Sequence, residues 1–125
     1  MADKTFRLEV VSPDAELYSG DATFLVAQTT VGELGILASH APMLAELAPG
    51  GCVKMTEASG KQTAFAVQGG FLSVTGESIT VLAESAQFVS EIDVAAEREI
   101  LSSAEPGSAA YLQAKSRVRA VEAVS

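Results

Sequence analysis

Phe6, Leu8 and Val10 alternate with Arg7 and Glu9, a period of two that predicts a half-buried strand. Ser12-Pro13-Asp14 ends it, and the apolar pair Leu17-Tyr18 precedes Ser19-Gly20-Asp21, which reads as a turn. A second strand is expected from Ala22 to Gln28, with Phe24 and Val26 on one face, Leu25 and Ala27 on the other, and both faces covered. Met43 to Leu47 predicts a short strand that Pro49-Gly50-Gly51 cuts off. Cys52 to Glu57 follows with Val53 and Met55 on one face, and Ala58-Ser59-Gly60-Lys61 is a hairpin turn. Gln62 to Val67 returns, Ala64 and Ala66 facing away from Thr63, Phe65 and Val67. Gly69-Gly70 breaks or bulges the strand, Phe71 to Val74 continues, Gly76-Glu77-Ser78 turns, and Ile79 to Ala83 is expected to be the last strand. Short strands with frequent turn signals predict an antiparallel two-sheet sandwich.

After Phe88 the period changes. Ser90-Glu91-Ile92-Asp93 resembles a helix N-cap with an acid three residues on, and Ala95 to Leu101 are helix formers. Glu105-Pro106-Gly107-Ser108 interrupts, and Ser108 caps a second helix in which Tyr111, Ala114, Val118 and Val121 form a narrow apolar stripe. The first helix carries Asp93, Glu97 and Glu99; the second carries Lys115, Arg117 and Arg119. These features predict a helical hairpin with complementary flanks over residues 89–125, appended to a sandwich over residues 1–88.

Between the second and third apolar runs lies Gly32-Glu33-Leu34-Gly35-Ile36-Leu37-Ala38-Ser39-His40-Ala41-Pro42-Met43. Gly32 and Gly35 are suited to positive φ where the chain reverses, and Pro42 holds Ala41 extended. The stretch predicts a tight turn, a short strand and an ordered loop of the kind that serves as a contact surface.

Composition narrows the function classes. The net charge is −8, and the first 88 residues carry ten acids against four bases. Nucleic acid is therefore excluded as the expected partner, since phosphate contacts need clustered Lys and Arg. No apolar run approaches the roughly 18 residues of a membrane span. The polar start Met1-Ala2-Asp3-Lys4-Thr5 predicts no signal or transit peptide, and a single cysteine precludes an internal disulfide.

Candidate chemistry is sparse. His40 and Cys52 are a conceivable nucleophilic pair, but neither has an orienting acid or an oxyanion motif nearby. Glu33, Glu46, Glu57 and Glu77 sit in or near turns, where solvated acids are usual. One His and one Cys make no metal spacing. Neither glycine-rich stretch has the spacing of a phosphate loop. No active site, metal or cofactor is expected from the residues alone, which read as a binding or structural module. A free-standing ligand-binding sandwich remains the alternative.

Gly32-Glu33-Leu34-Gly35-Ile36-Leu37 with His40-Ala41-Pro42-Met43-Leu44, followed by Ala66-Val67-Gln68-Gly69-Gly70-Phe71-Leu72-Ser73-Val74 and Ile79-Thr80-Val81-Leu82-Ala83-Glu84, resembles the signature of the epsilon subunit of F-type ATP synthases. The likeness covers nearly the whole chain. It implies a non-catalytic rotor subunit whose sandwich binds the gamma subunit and the ring of c subunits. It also implies a helical hairpin able to fold on the sandwich or extend towards the alpha/beta catalytic head and restrain ATP hydrolysis. Location follows: the cytoplasmic face of a bacterial plasma membrane, held through partners and not through lipid. Residue by residue, the resemblance places Glu33 at the rotor ring, and Ser12, His40 and Ala45 at gamma.

One departure bears on nucleotide. Nucleotide-binding members resemble Ile/Leu-Asp-x-x-Arg-Ala at the start of the first helix; here Ile92 and Asp93 match, but Ala96 stands where the arginine belongs. What remains is at most a degenerate site of Ile92, Asp93, Lys115 and Arg119. Losing one charge-assisted bond costs about 1.5–3 kcal/mol, roughly ten- to a hundredfold in affinity. The protein is therefore expected to bind ATP only in the millimolar range or not at all, with Ala96→Arg tightening it. Calorimetric titration checks this, and micromolar binding by the unmodified chain would contradict it.

Overall fold

A computed structural model describes residues 4–38 and 41–124. Its nine strands among the described residues are β1 Phe6–Val11, β2 Glu16–Thr29, β3 Gly32–Leu37, β4 Met43–Glu46, β5 Cys52–Glu57, β6 Gln62–Gln68, β7 Phe71–Thr75, β8 Ser78–Leu82 and β9 Ser85–Phe88. A short 3-10 turn at Val89–Glu91 leads to helices α1, Val94–Ser103, and α2, Ala109–Ala123.

The strands pair in the order β4-β7-β8-β1-β2-β5-β6-β9, with β3 also on β2. The path doubles back at β2, which runs for 14 residues. Its first half pairs with β1, from Glu16 to Ala22. Its second half pairs with β5 and β3, and the register against β5 shifts between Ala22 and Phe24. The two sheets thereby face each other. Phe6, Leu8 and Val10 of β1 and Leu72, Val74, Ile79 and Val81 of β7 and β8 form one core with Leu25, Ala27, Val53, Met55, Phe65 and Val67. Alternation on each strand put these residues on one face, as the period of two requires.

Several expectations need correction. Ser19-Gly20-Asp21 is not a turn: the three residues pair with Glu9, Leu8 and Arg7 in mid-strand. Gly20 instead leaves room for the ring of Tyr18, whose Cζ would lie 3.0 Å from a Cβ there. Tyr18 packs edge-on against Phe65 and Phe88, at centroid distances of 5.8 and 6.3 Å. The sandwich is also not wholly antiparallel, because β1 and β8 run parallel from Arg7↔Ser78 to Val11↔Leu82. Thirdly, Ala83 is not the end of the sheets. The polar segment Ser85–Phe88 adds β9 to the edge of β6, pairing Phe88 with Phe65. Lastly, only one face of β2 is fully covered: Leu25 and Ala27 are buried, while Phe24 is exposed.

Gly32 takes positive φ, 122°, as the hairpin between β2 and β3 requires. Gly35 does not. It lies opposite Val26 in the ladder, and its missing Cβ is filled by the ring of Phe24, 3.1 Å from where that atom would sit. The hairpin turn is held by Thr29, whose hydroxyl donates to Gly32 O at 2.7 Å and accepts from Val31 N–H at 3.3 Å.

The helix start lies three residues later than expected. Asp93, not Ser90, is the N-cap of α1, its carboxylate accepting from Ala96 N–H at 3.2 Å. The 3-10 turn occupies Ser90, and the chain runs extended through Ile92 and Asp93, so Asp93 is the residue placed to cap. Ser108 caps α2 by accepting from Tyr111 N–H at 3.2 Å. α2 lies on the outer face of β5 and β6, where Ala120 packs with Cys52, Ala64 and Ala66, flanked by Val89, Ile92, Ala123 and Val124. The apolar stripe foreseen through Ala114 and Val118 is buried, but so is a second face carrying Ser116 and Ala120. Ser116 lies about 200° round the helix from Ala114, so α2 is covered on two sides.

The tightest backbone constraint is the Gly69-Gly70 corner between β6 and β7, with φ of 64° and 102°. A Cβ on Gly70 would overlap the Leu82 carbonyl oxygen and lie 2.8 Å from Ala83 Cα, both backbone atoms of the adjoining strand end. Gly70→Ala is expected to cost about 3 kcal/mol or more through combined strain and overlap. Gly76→Ala, where φ is 55° and nothing lies within 4 Å, should cost about 1–2 kcal/mol. Denaturant unfolding of both variants checks the difference.

Candidate functional site

Two exposed faces meet at one end of the sandwich. The first is the β2–β3 hairpin. Val31 at its tip is 82% exposed, and Glu33 beside it, paired with Gln28 in the ladder, is exposed as well. Farther along β3, Leu37 stands 62% exposed next to Phe24, and the two line an open cleft with Lys4, Thr23 and Ala38.

The second face is the outer side of β4, β7 and β8. Phe71 and Leu82 are directly opposite in the ladder and about half exposed, and Leu44 on neighbouring β4 is 69% exposed. Val11, Ser12 and Pro13 border Phe71 and Leu82 across a shallow cleft. Scattered exposed apolar residues are ordinary, but Phe71, Leu82 and Leu44 on three adjacent strands make a contiguous patch, which marks a binding surface. The two faces adjoin because the hairpin is tied to β4: Thr30 N–H donates to Glu46 O at 2.9 Å, and Thr29 bridges Leu47.

The residues singled out from sequence fall unevenly on these faces. Glu33 lies on the hairpin and Ser12 at the edge of the apolar patch. Ala45 is on β4, but its side chain is buried, so the outward side chains there are Leu44 and Glu46. His40 lies outside the described residues. Sequence reasoning missed Leu44, Phe71 and Leu82 as surface residues. All three fall inside predicted strands, and the signal that places them outward is their alternation with buried Ala45, Leu72 and Val81.

The four residues of the degenerate nucleotide site do not converge. Asp93 is engaged as the cap of α1, beyond β9. Arg119 reaches across to Gln28 on β2, donating to its Oε1 at 3.4 Å, and the stem of Lys115 lies over Gly50. Strand order puts β5 and β6 between these two flanks of α2. The cation turned towards α1 is Arg117, paired with Glu97 at 3.1 Å. Ile92 is part of the small apolar cluster beneath α2.

Cys52 is buried under Ala120. Burial pushes its thiol up from 9.0 to about 11, against the smaller opposing pull of Arg119. A nucleophilic cysteine needs the opposite shift, towards thiolate at neutral pH. No group of three His, Cys, Asp or Glu side chains able to hold a metal occurs among the described residues. No helix of the described residues is long and apolar enough to cross a membrane. What this geometry offers is protein docking at two adjoining faces.

Comparison with known proteins agrees in extent with the sequence signature. The family model described as "ATP synthase, Delta/Epsilon chain, beta-sandwich domain" matches residues 5–89. An ATP synthase epsilon chain of Rhodococcus opacus is 46% identical over 122 residues, covering 98% of each chain. That of Mycobacterium avium is 47% identical over 117 residues, 94% of this chain and 95% of its own. Among solved structures, a chain of the Euglena gracilis mitochondrial ATP synthase, described as OSCP/F1/c-ring, superposes with a TM-score of 0.69 at 25% identity. The match covers 94% of the present chain and 78% of the other. A chain of the Tetrahymena thermophila central stalk and c-ring shares the fold, with a TM-score of 0.62 at 20% identity.

The buried thiol has a pH consequence. In the unfolded chain Cys52 ionises near 9.0, whereas in the fold it stays protonated to about 11. Its contribution is fully present below pH 9 and is lost as the pH rises through about 11. The stability of the parent protein relative to Cys52→Ala is therefore expected to fall by about 2–3 kcal/mol across that window. Denaturant unfolding of both proteins from pH 8 to about 11 checks the direction.

Proposed function

The chain belongs to the family of ATP synthase delta and epsilon chains, and from that premise we propose that it is a central-stalk subunit coupling the gamma subunit to the c-subunit ring. The observation that carries the reading is the match to epsilon chains along 98% of both sequences, which includes the helical hairpin as well as the sandwich.

The geometry supports a division of labour. The Leu44, Phe71 and Leu82 patch, bordered by Ser12, suits a partner that buries apolar surface permanently, and we assign it to gamma together with His40 and Ala45. The β2–β3 hairpin is narrow and acidic, and Glu33 suits the polar and basic loops of a rotor ring. Because Thr30 is hydrogen-bonded to Glu46, torque entering through β4 reaches the hairpin through paired backbone. Residues 1–88 form the coupling module, and residues 89–125 form a hairpin that restrains ATP hydrolysis when it extends towards the alpha/beta head. The subunit has no active site of its own. It sits at the cytoplasmic face of a bacterial plasma membrane through its protein partners.

An anchor in the middle of such a patch typically carries about 2 kcal/mol or more, roughly thirtyfold in affinity. Leu82→Asp is expected to weaken binding to gamma by about that factor while leaving circular dichroism unchanged, because Leu82 is half exposed. Glu33→Lys should leave gamma binding intact and lower ATP-driven proton pumping in membranes that contain the assembled variant. Undiminished gamma binding by Leu82→Asp would remove this face from the interface. Failure of the unmodified chain to bind gamma at all would sink the coupling role.

A further inference from the structure

β5 and β6 pair from Thr56↔Gln62 down to Cys52↔Ala66. The next rung would join Gly51 to Val67, and there a side chain takes the place of a backbone bond. The Ser116 hydroxyl donates to Gly51 O at 2.6 Å and accepts from Val67 N–H at 3.1 Å, with Val67 O at 3.2 Å. The Gly51 N–H turns away to Ala48 O at 3.1 Å. Ser116 is fully buried in the middle of α2. A mid-helix serine usually faces solvent or bonds back to its own helix; this one completes a sheet.

The other contacts that seat α2 have little directionality. Ala120 rests on Cys52, Ala64 and Ala66. Leu112 and Lys115 pass over Gly50, each 3.3 Å from the position of an added Cβ. The Arg119–Gln28 contact is exposed and long, 3.4 Å.

We propose that Ser116 is the latch of the hairpin, and that the docked hairpin is the resting state of this chain because the Ser116 hydroxyl lets α2 close over Gly51 C=O and Val67 N–H with both already paired. Without the hydroxyl, docking buries a donor and an acceptor unpaired, and they are satisfied only when α2 lifts and water enters. The balance between docked and lifted hairpin therefore turns on one hydroxyl group. The latch is a property of the isolated chain and stands or falls independently of the rotor reading.

Cys52, the only cysteine of the chain, lies beneath Ala120 and reports lifting directly. In the full chain at fixed pH, Ser116→Ala is expected to raise the rate of Cys52 alkylation at least about thirtyfold, the lower bound for two unpaired buried backbone groups. Amide hydrogen exchange of α2 and of Val67 should rise by a similar factor, while the core amides of Leu8, Leu25 and Val81 stay protected. Arg119→Ala, which removes the exposed contact and a small pull on the thiol, should change α2 exchange less than about twofold. Unchanged alkylation and α2 exchange in Ser116→Ala would overturn the latch. So would loss of protection in the core amides together with α2, or failure of the variant to fold, since either makes Ser116 a general stabiliser.

Discussion

The fold depends on β2. Fourteen residues of one strand are shared by both sheets, with β1 on the first half and β3 and β5 on the second. Strands twist, and a strand this long is able to serve two packed sheets when its register slips where it passes between them. The slip between Ala22 and Phe24 supplies that change. On one side of it Phe6 and Leu8 enter the core from β1, and on the other Val53 and Met55 enter from β5. The docking hairpin is the free end of the same strand. Core, sheet order and exposed tip are thus consequences of one continuous strand that changes partners at a single slip.

Small residues govern the other side of the molecule. Gly50, Gly51, Cys52, Ala64 and Ala66 leave the outer face of β5 and β6 shallow, so α2 approaches closely and its own Ala120 and Ser116 meet the sheet. The complementary charges of the two helices are realised as Glu97–Arg117 at 3.1 Å and Arg98–Glu122 at 3.5 Å. The second pair is more than half exposed and contributes no more than about 0.2–1 kcal/mol. α1 has no buried residue of its own. The hairpin is held chiefly through α2, by close contact and by the Ser116 hydroxyl. Charge aligns the helices and packing against the sheet seats them.

The two sides serve different ends. Leu44, Phe71 and Leu82 keep apolar surface in water on the face opposite the helices, while Glu33 and Val31 are held out at the hairpin tip. Neither face contains converging polar groups, and Cys52 is kept a protonated thiol by its burial beneath Ala120. A module of this build is suited to being gripped by protein partners.

Local pattern alone was enough for most strands, for the positive φ at Gly32, for the break at Gly69-Gly70, for the cap at Ser108 and for the family signature. These depend on neighbours within a few residues, where alternation, missing Cβ atoms and capping side chains act directly. Tertiary contacts decided the rest. Gly20 has the composition of a turn, yet β1 pairs through it and Tyr18 fills its space. Ser85–Phe88 has too little apolar alternation to read as a strand, yet the open edge of β6 makes it one. Alternation sets Leu82 and Val81 on opposite faces, but that Val81 is the one to enter the core follows from its pairing beside Val10 of β1. Arg119 and Asp93 lie on helices whose spacing is legible, but α2 settles across β5 and β6 and turns them to opposite flanks. Ser116 reads as an ordinary helical serine because its partners, Gly51 and Val67, are 65 and 49 residues away. Periodicity determines which side of an element is apolar; which other element meets that side is fixed only when distant strands close and their unpaired backbone groups must find partners.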